Sequence, residues 1–349
     1  MPVAGQRDPE EVRSVLQHWI GTQVGTNDVA VTDLVVPQAS GFSNETFLFD
    51  AAWAGGEPKP LVLRSQPQRH ALFPEIDLLE QQYLSMKLLG EHSNVPVATV
   101  LWAEADPVWL GAPFFVMQRL DGLVPGDNPP YMVESFVVDM DPGTRTEWHS
   151  NAVEVLTRVG RVDWKAAGFQ HLDKAHHGAL GPEQRQGYFR HYLDWATKGE
   201  HHPVAHPAFE RLLATWPDDG DTIELCWGDA RPGNQMFRGT EVVGVFDWEM
   251  VALGNCESDL GWWLFLQRYH TTGVGVSLLE GLLDAGETVA VWERHMGRAA
   301  SHVEWYEQLA GFHFVLVMIR LAEMMEFPEM AVHNPVAEIT CDLLGIPRP

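Results

Sequence analysis

The sequence predicts an α+β fold in which strands occupy the first third of the chain and helices most of the rest. With 349 residues, 45% of them hydrophobic, the chain can bury a large core and is long enough for two lobes. Runs rich in β-branched and aromatic residues, bounded by turn residues, occur between residues 29 and 117. After residue 147 the apolar residues recur mostly at helical spacing. We therefore expect a strand-rich lobe over residues 1–119 and a helical lobe over residues 120–349.

The predicted elements follow in order along the chain. A helix begins at Asp8, because an Asp cap is followed by Pro and by Glu three residues later. Strands are then predicted over residues 29–36, 46–53 and 60–64, a helix over 74–89, and strands over 95–102 and 113–117. Residues 123–150 lack periodicity, and a loop of that length is typical of a substrate lid. Helices are predicted over residues 147–168, 188–198, 207–216, 276–283, 289–296 and 301–326.

The charge balance excludes some classes of partner. A formal net charge of −25 argues against nucleic-acid binding, because neutralising phosphates needs basic stripes. The same charge would attract cationic ligands, although it can equally serve only to keep the chain soluble. No stretch has the pattern of a signal peptide or a membrane span, so we expect a cytoplasmic protein with no membrane partner.

Cysteines and paired histidines give no metal pattern. The three cysteines have no paired or metal-ligand spacing and suit a reducing compartment. The adjacent pairs His176-His177 and His201-His202 are predicted to be surface residues rather than metal ligands, because neighbouring residues of a helix do not face each other.

The most informative stretch is residues 225–250. Asn234 follows Asp229 by five positions, the spacing of the catalytic Asp and the Mg²⁺-binding Asn in kinases. The loop between them is rich in Gly and Pro, and the buried-type strand Val242 to Phe246 then delivers Asp247 at its end. Adjacent strands would bring the three polar residues together at one rim. The alternative is that Asp229 and Asn234 are ordinary turn residues and that Asp247 caps a helix.

The spacing suggests a role for each polar residue. Asp229 is predicted to be the catalytic base that accepts or orients the acceptor hydroxyl. Asn234 and Asp247 are predicted to be Mg²⁺ ligands, since oxygen atoms are the ligands that Mg²⁺ takes. Arg231, two residues beyond the base, is predicted to reach the γ-phosphate and to stabilise charge in the transition state.

The segments WGDARPGN, GVFDWEMVALG and SDLGW resemble the aminoglycoside phosphotransferase family, which is also called choline-kinase-like. Within it, they are most similar to the branch that includes the kinase-like domains of some acyl-CoA dehydrogenases. The resemblance covers nearly the whole chain. It implies a protein-kinase-like two-lobed fold, with an antiparallel sheet in the N-lobe and a mainly helical C-lobe. It also implies ATP or GTP with Mg²⁺ as cofactors.

The resemblance also assigns nucleotide-binding residues. It places Arg64, at the end of the third strand, near the phosphates, and Gln118 and Leu120 at the hinge that meets the base. Asp259 would support the catalytic loop from behind. A plain β-turn and a buried strand would explain the turn and the hinge equally well without a nucleotide. The turn over the phosphates comprises Ser40, Gly41, Phe42, Ser43 and Asn44.

Two departures from the family pattern keep a second hypothesis open. Trp227 stands where most members have His, and Gln82 aligns with the helix Glu that should pair with Arg64, although Glu75 or Glu80 could replace it. The leading hypothesis is Mg²⁺-dependent phosphoryl transfer to a small-molecule hydroxyl, on an aminoglycoside-like polycation or a hydroxyacyl-CoA. The alternative is a nucleotide-binding regulator with impaired catalysis.

Overall fold

An antiparallel sheet of five strands forms the N-terminal part of the molecule. The computed structural model describes residues 7–37, 44–66, 71–75, 77–218 and 222–349. The strand order is β1-β2-β3-β5-β4, and every neighbouring pair is antiparallel, as predicted. The strands are β1 (Val29–Val35), β2 (Glu45–Trp53), β3 (Lys59–Ser65), β4 (Val100–Glu104) and β5 (Phe114–Gln118).

The two faces of this sheet belong to two hydrophobic cores. Helix α1 (Pro9–Val24), capped by Asp8 as predicted, buries Trp19 against one face, together with Leu61 and Leu63 of β3. Val62, between them, points to the other face and joins the larger core of the helical region. This period of two is what a strand buried on both faces requires.

The helix after β3 begins later than the sequence suggested. Residues Leu78–Tyr83 form a π-helical segment that continues as α2 (Leu84–His92). Asp77 sets the start, because its side chain accepts hydrogen bonds from the backbone N–H groups of Leu79 and Glu80.

Most of the remaining chain is helical. Helix α7 packs along α9, where a Cβ on Gly261 would lie 2.4 Å from the backbone carbon of Tyr306, so only glycine permits this approach. No helix in the described ranges is long and apolar enough to cross a membrane. The helices are α3 (Pro142–Gly160), α4 (Trp164–Ala167), α5 (Pro182–Thr197), α6 (Ala205–Ala214), α7 (Glu257–His270), α8 (Ala285–Met296), α9 (Val303–Met324) and α10 (Pro335–Leu344).

Several predicted boundaries were wrong. Residues 276–283 form no helix, and Gly281 there has φ +89°, packed against Pro142. Helix α3 begins at Pro142 rather than near residue 147, with Asp141 as its cap, which shortens the predicted lid loop. Helix α10 was not predicted.

Two short pairs of strands frame the stretch from residue 225 to residue 250. Strand β6 (Glu224–Cys226) pairs with β9 (Ala252–Gly254), and β7 (Gln235–Arg238) pairs with β8 (Glu241–Val245). Both pairs are antiparallel. The candidate catalytic loop, residues 227–234, therefore follows β6 of one pair and leads into β7 of the other.

Candidate active site

Asp229 lies at the centre of a hydrogen-bond network in the catalytic loop. Its Oδ2 accepts a hydrogen bond from Nδ2 of Asn234 at 2.6 Å, and its Oδ1 accepts one from the indole Nε1 of Trp262 at 2.8 Å. Nε of Arg231 lies 3.0 Å from Oδ2. The carboxylate is thus fixed from three sides. The structure thus brings Arg231 and Asn234 into contact with Asp229.

The surroundings of Asp229 raise its proton affinity. Burial and the neighbouring carboxylate of Asp247 raise the pKa of Asp229 to about 7, although the hydrogen bonds from Trp262 and Asn234 lower it. A group with a pKa near neutrality can both accept and release a proton at cellular pH. The electrostatics therefore suit a catalytic base.

A second carboxylate supports the loop from behind. Asp259, on α7, accepts hydrogen bonds from the backbone N–H groups of Trp227 at 2.7 Å and Gly228 at 2.8 Å. Burial raises the pKa of Asp259 to about 6, and the two backbone donors oppose that rise. Trp227 is fully buried and donates from its Nε1 to the backbone oxygen of Phe246 at 2.8 Å. The tryptophan thus ties the loop to the end of β8.

Asp247 follows β8 at the same rim. The backbone N–H of Phe246 donates to the carbonyl of Asn234 at 2.9 Å, which extends the β7–β8 pairing to the metal-ligand candidates. Asp247 has φ +58°, a left-handed conformation that is uncommon for non-glycine residues and carries a cost in backbone strain.

The donor set at this rim fits a hard cation. Within the described ranges, the buried Oδ1 of Asp247 has no hydrogen-bond partner, a cost that a metal ion would remove. Because Nδ2 of Asn234 is used by Asp229, its Oδ1 is the end of the amide that a cation would take. These two residues fit the predicted Mg²⁺ site.

Arg231 makes a further contact that the sequence did not indicate. Its Nη1 pairs with Asp127, from the long loop before α3. Burial lowers the pKa of Arg231 from its ordinary value, while the charges of Asp247 and Glu249 oppose the shift. The loop predicted as a substrate lid therefore contacts Arg231, one of the candidate catalytic residues, directly.

Of the five residues predicted to form the turn over the phosphates, the structure describes only Asn44. Ser40, Gly41, Phe42 and Ser43 lie outside the described residues. Asn44 is buried, and its Nδ2 donates to Oε2 of Glu249 at 3.3 Å, so Asn44 lies beside a residue that follows Asp247 by two positions.

Arg64 lies beside a metal-ligand candidate. Its Nη2 is 3.8 Å from Oδ1 of Asp247. The two proposed helix partners are bound elsewhere, Glu80 to Lys174 and Glu75 to a group of histidines. The expected ion pair between Arg64 and a helix carboxylate is therefore replaced by the contact with Asp247.

The hinge candidates lie at the end of β5. The backbone N–H of Gln118 donates to Thr99 at 2.9 Å, and the side chain of Gln118 is exposed. Leu120 packs on Gly244, where a Cβ would come within 2.7 Å of its Cδ1. Their contact with a nucleotide base stays a prediction.

A cleft of about 400 Å³ opens beside the candidate catalytic residues. Its charged lining consists of Asp229, Arg231, Asp247, Glu249 and Asp127. The rest is mainly apolar and comes from the 71–75 segment, the long loop, α7, the 3₁₀ turn Thr272–Val274 and α9. Its apolar residues include Leu72, Phe73, Pro130, Leu266, Val274, Phe314, Val317 and Leu321. Such a cleft can hold a small molecule with its polar end at the carboxylates.

A sequence profile of the Phosphotransferase enzyme family (APH) matches residues 35–298, which include Asp229, Asn234 and Asp247 but not the α9 residues that line the cleft. The chain belongs to this family. The prediction made from the three motifs is confirmed, and so is the α+β kinase-like fold.

Curated relatives of this phosphotransferase-family chain are much longer proteins. The probable acyl-CoA dehydrogenase IBR3 of Arabidopsis thaliana is 27% identical over 229 residues, 64% of this chain and 26% of the relative. Acyl-CoA dehydrogenase family member 10 of Mus musculus is 27% identical over 255 residues, 72% of this chain and 22% of the relative. The chain thus spans about a quarter of the length of these relatives.

Solved structures of similar fold cover almost the whole chain. A Ralstonia eutropha protein with an inferred aminoglycoside phosphotransferase function has a TM-score of 0.68 at 22% identity, covering 95% of this chain and 98% of that one. The aminoglycoside phosphotransferase APH(4)-Ia, in complex with AMP-PNP and hygromycin B, has a TM-score of 0.57 at 14% identity, covering 94% and 97%. At these identities the likeness establishes the fold.

Sequence reasoning missed two residues of the site. Trp262 lies three positions after Asp259 on α7, so helical spacing places both on the side that faces the catalytic loop. That spacing could have identified Trp262. Asp127 has no comparable signal, because it lies in an aperiodic loop 104 positions from Arg231.

Proposed function

We propose that this chain is an ATP-dependent, Mg²⁺-requiring phosphotransferase that acts on a hydroxyl group of a small molecule. The observation that carries the proposal is the position of Asp229, which is hydrogen-bonded to Asn234 and lies with Asp247 on the wall of one cleft. ATP is the favoured donor, because AMP-PNP and ADP are bound in similar structures of APH(4)-Ia. GTP remains an alternative donor to test.

Each residue then has a defined task. Asp229 orients the acceptor hydroxyl and takes up its proton, for which its raised pKa is suited. Mg²⁺ held by Asn234 and Asp247 would neutralise charge on the transferred phosphate. Arg231 stabilises the same charge from the side of the long loop. Arg64, near Asp247, contributes a positive charge for the phosphates.

The lining of the cleft favours an acceptor with an apolar portion. Beyond the residues assigned to catalysis, only Asp127 and Glu249 add negative charge, and apolar side chains form most of the wall. A polycation would need several further carboxylates to replace its hydration, whereas an acyl chain would bury apolar surface. The relatives named as acyl-CoA dehydrogenases also favour a hydroxyacyl compound over an aminoglycoside.

The test is Mg²⁺-dependent ADP release with paired acceptors. Hydroxyacyl-CoAs and free hydroxy acids would each be compared with the same compound lacking the hydroxyl, beside aminoglycosides and amino alcohols. Stimulation only by hydroxylated acyl compounds, abolished in Asp229→Asn and Asp247→Ala, is the expected result. The matched control is Asp139→Asn, because Asp139 is an exposed carboxylate in the long loop before α3. This variant should retain full activity.

Other outcomes of this experiment separate the alternatives. Stimulation by aminoglycosides alone would keep the phosphotransferase reaction and reject the apolar acceptor. If Mg²⁺-ATP binds but no acceptor is phosphorylated, the nucleotide-binding regulator suggested by Trp227 and Gln82 becomes the better description.

A further inference from the structure

Three histidines gather around the carboxylate of Glu75, the last residue of the 71–75 segment. Nε2 of His176 and Nε2 of His177 each lie 3.0 Å from Oε1 of Glu75, and Nε2 of His191 lies 3.8 Å from the same oxygen. The rings of His176 and His177 are 4.2 Å apart. The pair predicted to be two separate surface residues therefore faces a common point.

The local backbone explains why adjacent histidines converge here. They end a single 3₁₀ turn, Ala175–His177, so the rule for neighbours within an α-helix does not apply. A Cβ on Gly187 of α5 would lie 1.9 Å from the backbone oxygen of His177, so only glycine lets the turn pack this closely. That approach brings the turn beside His191 on the same helix.

We propose that Glu75, His176 and His177 bind a divalent transition-metal ion, Zn²⁺ being the best fit. Two imidazoles and one carboxylate are a ligand set that zinc uses, with a fourth position left for water. The third imidazole, that of His191, lies 3.8 Å from the same carboxylate oxygen of Glu75. The site requires no contribution from the Mg²⁺–nucleotide residues, so it stands independently of the proposed reaction.

The spacing of the candidate ligand atoms fits a tetrahedral ion. Zn–N and Zn–O bonds of about 2.0–2.1 Å place the ligand atoms of a tetrahedron about 3.4 Å apart. The observed separations of 3.0 Å need only small side-chain movements to reach this value. One ligand atom from each of the three residues lies within 4.8 Å of the other two.

One nitrogen of the cluster lacks a satisfactory hydrogen bond. The side chain of His177 is only 7% exposed, and within the described ranges its buried Nε2 has no well-aligned hydrogen-bond partner, despite its closeness to Glu75. Buried polar atoms are normally satisfied, so an exception calls for an explanation. A lone pair directed at a metal ion would remove the cost.

The other group of metal-ligating side chains in the described ranges is already neutralised. Glu224, Cys256 and Glu257 lie close together, but Arg298 pairs with both carboxylates. A cation there would have to displace the guanidinium. Among the described residues, Glu75 is paired with no arginine or lysine, and its recorded ion-pair partners are the three histidines.

A metal ion here would connect the segment before α2 to the helical region. Leu72 and Phe73, two or three residues before Glu75, line the catalytic cleft. Tyr192, next to His191, already donates its hydroxyl to the backbone oxygen of Leu72 at 2.5 Å. Binding of Zn²⁺ would therefore rigidify one wall of the cleft and raise the melting temperature.

The test measures metal binding directly on protein without an affinity tag. Chelator-stripped protein would be titrated with Zn²⁺ in competition with a chromophoric chelator, and with Co²⁺, whose visible spectrum reports tetrahedral coordination. We expect one equivalent of tightly bound Zn²⁺ and a tetrahedral Co²⁺ spectrum. Glu75→Gln and His177→Asn should each weaken binding at least tenfold, the loss seen even for residues that only support metal ligands.

Controls locate the ion and monitor folding. His201→Asn removes an exposed histidine that also lies beside another imidazole, and it should bind Zn²⁺ as the wild type does. Asp247→Ala should bind equally well, which excludes the Mg²⁺ site. Equal melting temperatures of all variants in the chelator would show that folding is intact. The proposal is overturned if the wild type binds no stoichiometric Zn²⁺, or if Glu75→Gln and His177→Asn bind it unchanged.

Discussion

The indole Nε1 of Trp262 donates a hydrogen bond to Oδ1 of Asp229 at 2.8 Å. This bond connects α7 to the candidate catalytic base, on the side of the carboxylate away from Asn234. It favours the charged form of Asp229 and so restrains the rise in pKa that burial causes. Trp262 therefore acts as a positioning residue, although no aromatic side chain was predicted to contact the base.

Replacing Trp262 should affect catalysis more than folding. In Trp262→Phe the donor is lost, and we expect kcat to fall about tenfold or more, because a hydrogen bond to a charged group contributes roughly 1.5–3 kcal/mol. KM for ATP should hardly change. The pKa of Asp229 should rise, so the acidic limb of the rate profile should move to higher pH.

Trp263→Phe is the matched control for this change. Trp263 is also buried on α7 but stacks on His149 instead of contacting the base. The Trp263→Phe variant should have a lower melting temperature, with the pH dependence of the rate unchanged. Equal losses of kcat in both variants, with no shift in either profile, would contradict the positioning role.

Asp259 should matter for both the stability and the activity of the loop. Asp259→Asn replaces one acceptor oxygen with an NH₂ group that faces a backbone donor of Trp227 or Gly228. We expect a loss of about 1–3 kcal/mol in the free energy of unfolding, measured by urea titration, with a lower kcat.

A helix cap provides the comparison for Asp259. Asp163 caps α4 through one backbone N–H, that of Ala166, and Asn serves this purpose equally well. Asp163→Asn should therefore be close to neutral. If Asp259→Asn were just as neutral, the support assigned to Asp259 would be wrong.

Replacing Asp247 with glycine distinguishes the cost of its left-handed backbone from its role as a candidate metal ligand. Asp247→Gly should stabilise the fold by about 1 kcal/mol, because glycine adopts φ +58° at little cost. The same variant should lose Mg²⁺-dependent nucleotide binding, measured by calorimetry. Asp33→Gly, at φ +52° far from the cleft residues in sequence, should give a similar gain in stability with binding unchanged. Retained Mg²⁺ dependence in Asp247→Gly would reject Asp247 as a ligand.

Buried His149 should make the fold sensitive to acid. Burial lowers the pKa of His149 to about 3, and its Nδ1 accepts a hydrogen bond from the backbone N–H of Leu283 at 2.8 Å. In the unfolded chain His149 has an ordinary pKa near 6.5, so below that pH it binds a proton that it does not bind in the folded chain. The contribution of neutral, buried His149 to the free energy of unfolding is therefore complete above pH 6.5 and declines as the pH falls toward 3.

The measurement is the free energy of unfolding against pH for wild type and His149→Gln. Other groups with shifted pKa values contribute equally to both proteins, so the difference isolates His149. Between pH 6 and 4, the wild type should lose up to about 1.4 kcal/mol per pH unit more than the variant. Parallel curves would show that His149 does not titrate as the structure indicates.

The core of the site was predictable because it is local in sequence. Asp229 and Asn234 share one loop, and pairing of two consecutive strands brings Asp247 to them. A five-residue spacing and a short hairpin leave few alternative arrangements. Residues brought from far along the chain, such as Asp127, follow from tertiary packing that no local pattern encodes.

Errors in the fold prediction arose where tertiary contacts override local preference. Residues 95–102 were predicted as one strand, but β4 begins only at Val100. The carbonyl of Pro96 instead accepts a hydrogen bond from Val245 of β8. The histidine pair at 176–177 was similarly judged by helix geometry, whereas Gly187 allows an irregular turn to pack on α5.

The central claim is that Asp229, Asn234 and Asp247 form a site for Mg²⁺-dependent phosphoryl transfer. The most direct measurement is a single-turnover assay with γ-labelled ATP, which follows the label onto the acceptor while binding of Mg²⁺-ATP is measured in parallel. We predict that Asp229→Asn binds Mg²⁺-ATP as the wild type does but transfers phosphate at least a hundredfold more slowly, the lower end of the range for general base catalysis. Transfer at the wild-type rate in Asp229→Asn, or no Mg²⁺-dependent binding of ATP by the wild type, would contradict the account.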